Sequence, residues 1–529
     1  MEKIDPTKRL ILAAVIAFAF FAVYDLFFLE TPRQTAPAQQ QSAATQNPNA
    51  PAATASSASV TSPDRQVGSA LAGERIIATV KTAVSTLEID ELGRIRQVSL
   101  SGLVFETEDH AQQKLLDPAQ TRPLEIRFTD RLINDRAFNT PYQSDRQEAD
   151  ATQAPAELLL VQELGELSVQ KRLVFHPNGR YELSVTTSSA AEYFISTGFR
   201  PVAATDPMTV QGSLVHTFDG TVETIEEGDA KGNEAFRQAK MVSSFDRYYA
   251  SLLYNYDQPF DVYLNRVLDG APLPFVRGQS ELVLGGYIGP KYVATLKSIH
   301  PELTAAVEYG FFTFLSKPLF VVLEWIYAHI PNWGWAIVVF TLLVKVVLFP
   351  LSHKGMVGMA RLKDLAPKMK ELQEKYKDDK QKLQVHMMEL YKKHGANPLG
   401  GCLPLLLQIP IFFAIYRVLI NAIELKGAEW FYIADLSYMD PYFVLPVLMG
   451  ATMWFQQRIT PSNFTDPMQE KIFKWLPIIF TFFFLFFPAG LVLYWLINNV
   501  VSIGQQWFVN KRMEAMKLAA KKAAHHEKD

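Results

Sequence analysis

Apolar segments long enough to cross a bilayer constrain this chain most. The hydrocarbon core of a membrane is spanned by about 20 consecutive apolar residues in a helix. The chain contains six such segments, at roughly 10–29, 332–351, 399–420, 441–457, 472–488 and 489–509. They predict a polytopic α-helical membrane protein with six transmembrane helices, the last five forming one core.

One charged side chain interrupts the segment from Trp333 to Pro350, and it is Lys345. A charge at the centre of a membrane helix costs about 2.5–3.5 kcal/mol on insertion scales, so it is usually paired, hydrated or functional. The five apolar segments from Trp333 onward contain no acidic residue, so we expect water to solvate the ammonium group. The alternative is that Lys345 extends to the cytoplasmic headgroups.

Residues 70–295 have a different pattern, in which short alternating runs are separated by turn signals. The pair Asn178-Gly179 between two such runs predicts a β-hairpin. Many strands of this kind predict a large all-β domain, in a region with 22 Lys and Arg against 31 Asp and Glu over 69–298. No catalytic triad or carboxylate pair stands out there. The domain is expected to be structural and to dock partners, although a cleft for a sugar or a peptide remains an alternative.

The remaining segments complete the predicted domain organisation. Composition predicts an uncleaved anchor, a linker without a core, an amphipathic helix at the membrane interface, a five-span core and a basic tail. Their boundaries are 1–30, 31–69, 296–331, 332–510 and 511–529.

A basic region at 354–395 lies between the first two spans of the core. Residues 352–397 carry 11 Lys and Arg against 6 Asp and Glu. Basic loops stay in the cytoplasm, which places both termini there and the β domain in the periplasm. An apolar stripe with spacings of three and four predicts a helical hairpin. That stripe is either the seam of the hairpin or a docking surface.

The sequence argues against several kinds of chemistry. The single Cys402 excludes disulfides and cysteine-based zinc sites, and the histidines show no zinc-binding spacing. No phosphate-binding or dinucleotide-binding glycine pattern is present. We therefore expect no enzymatic activity, no catalytic residue, no metal, no cofactor and no DNA partner.

Four stretches resemble the YidC/Oxa/Alb family of membrane protein insertases, in its Gram-negative form. They are YIGPKYVATLKSIHP (287–301), NPLGGCLPLLLQIPIFFAIY (397–416), DPYFVLPVLMGATMWFQQ (440–457) and the long run from 465 to 506. The resemblance implies a β-supersandwich in the periplasm and a core that encloses a hydrophilic groove. It also implies the bacterial inner membrane, nascent membrane proteins as clients, and the Sec translocon, ribosomes and membrane lipids as partners.

The resemblance also implies which residues line the groove. The matching positions are Lys345, Thr341, Gln456 or its neighbour Gln457, Tyr494 and Trp495. The family usually has arginine where this chain has Lys345, so the positive charge is retained but the planar fork of donors is not. A role as a point charge survives this change better than bidentate binding of a carboxylate.

Two other functions remain alternatives at this stage. A secondary transporter would also bury ionisable groups in the membrane, but it usually shows inverted repeats, and none is found here. A membrane-anchored carbohydrate-binding or carbohydrate-active protein would use the β domain for its activity.

Overall fold

A computed structural model describes residues 73–105, 112–204, 209–267, 270–307, 309, 312–376, 379–393, 403–460 and 467–526. The chain divides into two compact units, Met1–Glu308 and Tyr309–Asp529. The predicted anchor at 1–30 and linker at 31–69 lie outside the described residues.

The described part of the first unit is mostly β-structure, as the alternating pattern predicts. The strands are β1 (Ile76–Thr82), β2 (Ser85–Asp90), β3 (Ile95–Leu100), β4 (Ile126–Phe128), β5 (Gln143–Ser144), β6 (Glu148–Ala151), β7 (Ala156–Glu163), β8 (Ser168–Phe175), β9 (Arg180–Thr187), β10 (Glu192–Ser196), β11 (Gly212–Thr217), β12 (Val222–Glu226), β13 (Glu234–Phe245), β14 (Tyr249–Tyr254), β15 (Phe260–Arg266), β16 (Pro272–Gln279) and β17 (Glu281–Pro290). A short helix, α1 (Arg131–Ala137), follows β4.

The strands form two sheets. The smaller has the order β3-β2-β1-β6, and the larger has the order β4-β10-β16-β15-β13-β14-β17-β9-β8-β7-β5, with β11 and β12 beside β13. The predicted hairpin is confirmed, because β8 pairs with β9 from Val169 opposite Thr187 to Phe175 opposite Tyr181. Gly179 in its turn has φ +82°, a conformation that glycine adopts without steric cost.

Buried charges also connect the two sheets. Arg94, just before β3, donates to Asp90 and to Glu125, which precedes β4, at 2.8 Å each. Lys171 on β8 is fully buried and donates to the carbonyl oxygens of Gly93 and Leu124 at 2.9 and 2.8 Å. We call this group the charge cluster; its members are Asp90, Arg94, Arg122, Glu125, Arg127 and Lys171.

The predicted interfacial helix at 296–331 is not one element. It divides into α2 (Val293–Ile299), a 3₁₀ turn (Pro301–Ala306) and α3 (Thr313–His329). Pro301 explains the first break, because a residue before proline favours extended backbone, and His300 has φ −159° and ψ 136°. In α3, Phe320 and Leu323 are buried while Phe314 and Trp325 are exposed.

The second unit continues with a helix that is longer than expected. We expected a span ending near 351 and a separate hairpin helix, but α4 runs unbroken through Trp333–Lys375, including Pro350 and Pro367. Asn332 caps the start of the helix, because its side chain accepts a hydrogen bond from the Trp335 amide. A missing backbone donor at each proline therefore does not end the helix.

The hairpin closes with α5 (Lys380–Lys393). Leu365 and Met369 on α4 are buried against Met387, Leu390 and Tyr391 on α5. The Tyr391 hydroxyl also lies 3.7 Å from the Met369 sulfur. These stripe residues therefore form the seam of the hairpin, the first of the two interpretations considered above.

Four further helices follow: α6 (Leu403–Asn421), α7 (Val444–Ile459), α8 (Pro467–Phe484) and α9 (Ala489–His526). Helix α9 continues through most of the predicted tail. Within the described residues, the stretch Trp333–Gly358 is long and apolar enough to cross a membrane by length and composition, whereas Ile409–Asn421 and Phe473–Phe484 are shorter apolar helices. The 16 residues of α7 extend about 24 Å, less than a hydrocarbon core of about 30 Å.

Candidate functional site

Helix α4 turns Lys345 and Thr341 toward the interior of the second unit. The two residues are one turn apart, and only 6% of Lys345 and 1% of Thr341 are exposed. On the opposite side, 68% of Val347 is exposed. The lysine is therefore on the protein-facing side of a helix whose other side is free for lipid.

The ammonium group of Lys345 is held by a hydroxyl group. Its Nζ donates to Ser502 Oγ on α9 at 2.7 Å, and that hydroxyl donates in turn to the Asn498 carbonyl oxygen at 2.7 Å. In the part of the chain that the structure describes, no carboxylate lies within ion-pair distance of Lys345. Ser502 thus supplies a protein partner where water was expected. The sequence shows that Ser502 lies four residues after Asn498, on the same face of α9, but it does not show that this face meets Lys345.

The hydroxyl of Thr341 is already used within α4. Its Oγ donates to the Ile337 carbonyl oxygen at 2.7 Å, one turn earlier. This intrahelical bond satisfies a buried donor. Thr341 therefore forms part of the wall beside Lys345, and its proton is not available to a ligand in this arrangement.

Tyr494 and Trp495 lie nearer the start of α9 than Ser502 does. They precede Ser502 by seven or eight residues, or about 11 to 12 Å along the helix axis, and neither is hydrogen-bonded to Lys345 among the described residues. Tyr494 is buried, whereas Trp495 is half-buried, with its ring centroid 4.6 Å from Phe412 and 4.9 Å from Phe484. The structure thus separates an aromatic part of the predicted site from a cationic part.

The two glutamines of α7 have different surroundings. Gln457 donates to the Phe473 carbonyl oxygen on α8 at 2.9 Å. The side chain of Gln456 is half-buried and has no hydrogen-bond partner among the described residues. Of the pair, Gln457 is therefore the one whose amide joins α7 to α8.

Several polar residues of α9 hold helices together. The Asn510 side chain donates to the Ile459 carbonyl oxygen on α7 at 3.1 Å. Asn499 lies 3.5 Å from the Thr452 hydroxyl, also on α7. Side-chain bonds between helices substitute for water in an apolar environment. The polar face of α9 therefore stabilises the bundle as well as contacting Lys345.

Comparisons with known proteins cover nearly the whole chain. Residues 245–322 match the family described as the YidC periplasmic domain, and residues 325–517 match the 60Kd inner membrane protein family. The membrane protein insertase YidC of Wolinella succinogenes is 51% identical over 527 residues, covering 98% of this chain and 97% of the relative. That of Campylobacter jejuni is 48% identical over 515 residues, covering 95% and 96%.

The chain belongs to the YidC family of membrane protein insertases. A crystal structure of an active YidC insertase with its first transmembrane domain resolved covers 93% of this chain and 98% of that one, at 18% identity and a TM-score of 0.36. The assignment to the YidC family rests on the sequence relatives. With it, the predicted all-β periplasmic sandwich followed by a helical inner-membrane region is established.

In this member of the YidC family, α6 carries a second buried cation that the sequence analysis did not select. Arg417 is 4% exposed and lies four residues before the end of the helix, in a segment first treated as apolar. The charge itself was the available signal. Among the described residues, no group of three His, Cys, Asp or Glu could hold a metal ion.

Proposed function

We propose that this chain inserts nascent membrane proteins into the bacterial inner membrane and assists their folding, using Lys345 as a positive charge inside a hydrophilic groove. One observation carries the proposal: a buried lysine on a helix of spanning length is held by a neutral hydroxyl. A purely structural buried charge is usually paired with an opposite charge.

The proposed mechanism starts from the cost of moving a polar flank across hydrocarbon. Each charged group of a client is expensive there, and a nearby cation lowers that cost for an acidic tail. An ammonium–carboxylate contact adds the Coulomb attraction of opposite charges to the hydrogen bond, whereas an ammonium–hydroxyl contact has no such attraction. A client carboxylate can therefore displace Ser502 from Lys345, and release restores the bond to the hydroxyl.

The other groove residues have separate roles in this proposal. Gln456 offers an amide to the polar flank of the client. The half-buried Trp495 presents aromatic surface to its apolar helix, which leaves sideways into lipid, and the buried Tyr494 supports the groove wall next to it. Thr341 fills the wall beside Lys345 and keeps its own hydroxyl satisfied, so that the ammonium group is the main polar attraction there.

Orientation and partners follow from charge. We place both termini in the cytoplasm and the β domain in the periplasm, because the hairpin at 354–395 and the tail at 511–529 are rich in Lys. The same two segments are proposed to contact the ribosome. The chain acts alone or with the Sec translocon in this proposal.

The decisive experiment compares charge variants at position 345 on two matched clients, one with an acidic N-terminal tail and one with a neutral tail. Lys345→Arg should preserve insertion of the acidic client, Lys345→Ala should slow it, and Lys345→Glu should slow it most, because like charges repel. Insertion is measured by protease protection in vesicles. Lys471→Ala, which removes an exposed lysine of α8 outside the two segments proposed to contact the ribosome, is the control. Equal activity of the Arg and Glu variants would contradict the proposal.

The ribosome contact has its own test. Electrostatic contacts with RNA weaken steeply as salt increases. Co-sedimentation of the chain with ribosomes should therefore fall with added salt and fall further when residues 511–529 are removed. Binding that is insensitive to both changes would argue against this part of the proposal.

A further inference from the structure

Two exposed phenylalanines between α6 and α7 have strained backbone. Phe431 is at the tip of a tight turn closed by paired hydrogen bonds between Trp430 and Ile433 at 2.8 and 2.9 Å. It has φ +50° and is 75% exposed. A bulky residue rarely adopts positive φ, and a strained residue persists only where its surroundings enforce it. Phe443, just before α7, has φ +55° and is also exposed.

A buried carboxylate fixes both places. Asp440 is 1% exposed and accepts from the Tyr432 hydroxyl at 2.9 Å. It also accepts from the amides of Tyr442 and Leu445, at 3.0 and 2.7 Å. The turn around Phe431 and the start of α7 are therefore joined through one side chain.

The turn is also attached to the beginning of α4. The Asn332 side chain donates to the Glu429 carbonyl oxygen at 3.0 Å. Trp430 packs so closely on Gly334 that a Cβ there would lie 2.1 Å from the indole ring. The Trp335 ring meets Phe431 edge-on at 5.7 Å between centroids. We call the exposed aromatic residues of this surface the aromatic rim: Trp335, Phe431, Tyr432, Tyr438, Tyr442 and Phe443.

The rim has the chemistry of a membrane boundary. Trp335 is the third residue of the spanning stretch Trp333–Gly358, so the rim is at one end of that stretch. Tyrosine and tryptophan favour the headgroup level, where one part of the ring is apolar and the other is hydrated. The charges near it include Glu429 and Asp435, which disfavour an acidic partner and suit zwitterionic headgroups.

We propose that the aromatic rim is a lipid-binding surface that inserts into the outer leaflet at the headgroup level and sets the depth of α4. The ten residues between Trp335 and Lys345 correspond to about 15 Å of helix. The rim would thus hold the lysine near the middle of a hydrocarbon core of about 30 Å. The lipid contact stands independently of the proposed insertase mechanism; only this effect on Lys345 rests on it.

Fluorescence quenching in vesicles tests the proposal. A single cysteine is placed at 431 or 442 in a Cys402→Ser background, labelled with bimane and reconstituted as the full chain in phosphatidylethanolamine and phosphatidylglycerol. Lipids carrying a nitroxide at carbon 5 should quench both sites at least about twofold more than lipids carrying it at carbon 12. A label at 346, whose side chain is exposed in mid-helix, should show the reverse order. A label at 132, exposed on α1, should respond to aqueous iodide instead.

Three results would overturn the proposal. Quenching of both rim sites by iodide, as strong as at 132, would place the rim in water. Stronger quenching by the carbon-12 nitroxide would place it deep in hydrocarbon. Protection from iodide and from both nitroxides would mean that a protein covers it. None of these readouts depends on insertion activity, so a failure here is distinct from a failure of the proposed function.

Discussion

The two units each bury a lysine, but they treat its charge differently. In the first unit, Lys171 donates to two backbone carbonyl oxygens, lies 4.6 Å from the centre of the Tyr142 ring and belongs to a cluster with two carboxylates. In the second unit, Lys345 donates to the Ser502 hydroxyl. The first arrangement uses the charge to join two sheets. The second leaves it without a counter-charge among the described residues, and in the proposed function an incoming carboxylate replaces the hydroxyl.

The contrast predicts different consequences of removing each charge. Removing one member of a buried ion pair leaves the other charge without compensation and is strongly destabilising. Removing a cation that has no buried counter-charge has no such effect on stability. Stability and activity should therefore respond in opposite ways at the two sites, and the following experiments test this difference.

The largest expected effect is on the charge cluster. Glu125→Gln removes the carboxylate shared by Arg94 and Arg127, and should lower the free energy of unfolding of the first unit by about 3–5 kcal/mol. Hydrogen exchange of peptides from β8 and β9 in increasing urea measures it. The control is Glu157→Gln, in an exposed pair with Arg172, which should leave exchange unchanged. Equal effects of the two variants would refute a structural role for the cluster.

The next effect separates activity from stability. Lys345→Met should slow insertion of the acidic client about tenfold, which corresponds to 1.4 kcal/mol, without lowering the thermal stability of the helical unit. Lys171→Met should do the opposite, because it leaves two buried carbonyl oxygens without a donor while the groove is unchanged. The insertion rate of each variant is divided by the amount of folded variant in the vesicles. If both lysines proved necessary mainly for stability, the distinction would fail.

The smallest effect is a pH dependence confined to the first unit. Burial lowers the pKa of Lys171 from 10.5 to about 7. Between these values the unfolded chain binds more protons than the folded one, so the free energy of unfolding should rise with pH. The rise between pH 7 and 8 is roughly 1 kcal/mol and vanishes well below pH 7, where both states hold the proton. Hydrogen exchange at several pH values measures it, and an identical slope in Lys171→Met would contradict the assignment.

The sequence predicted the fold best where its pattern is local. Alternation and the Asn178-Gly179 turn predicted the strands and the β8–β9 hairpin, because both depend on neighbouring residues. Helix ends were predicted less well. Proline usually interrupts a helix, yet α4 passes through Pro350 and Pro367 with α5 packed along its C-terminal part. Tertiary contacts of this kind cannot be read from a single segment.

The candidate site shows the same limit. Lys345 stands out as a charge in an apolar run, and Thr341 shares its face by helical spacing. Ser502 could not be paired with it from sequence, since the two residues are 157 positions apart. The separation of Trp495 from Lys345 could be found only once Ser502, which lies seven residues after Trp495 on α9, was known to contact the lysine. Whether Gln456, Tyr494 and Trp495 bind clients stays a prediction.

The continuity of α4 has a mechanical consequence. Because Lys345 and the hairpin belong to one helix, the 30 residues from Lys345 to Lys375 form a lever arm of about 45 Å. A rotation of about 5° around Lys345 moves the far end by about 4 Å at that length. Motion imposed on the far end of the helix is thus reduced to a small angular change at the lysine. A large displacement of the hairpin becomes a fine adjustment beside Lys345.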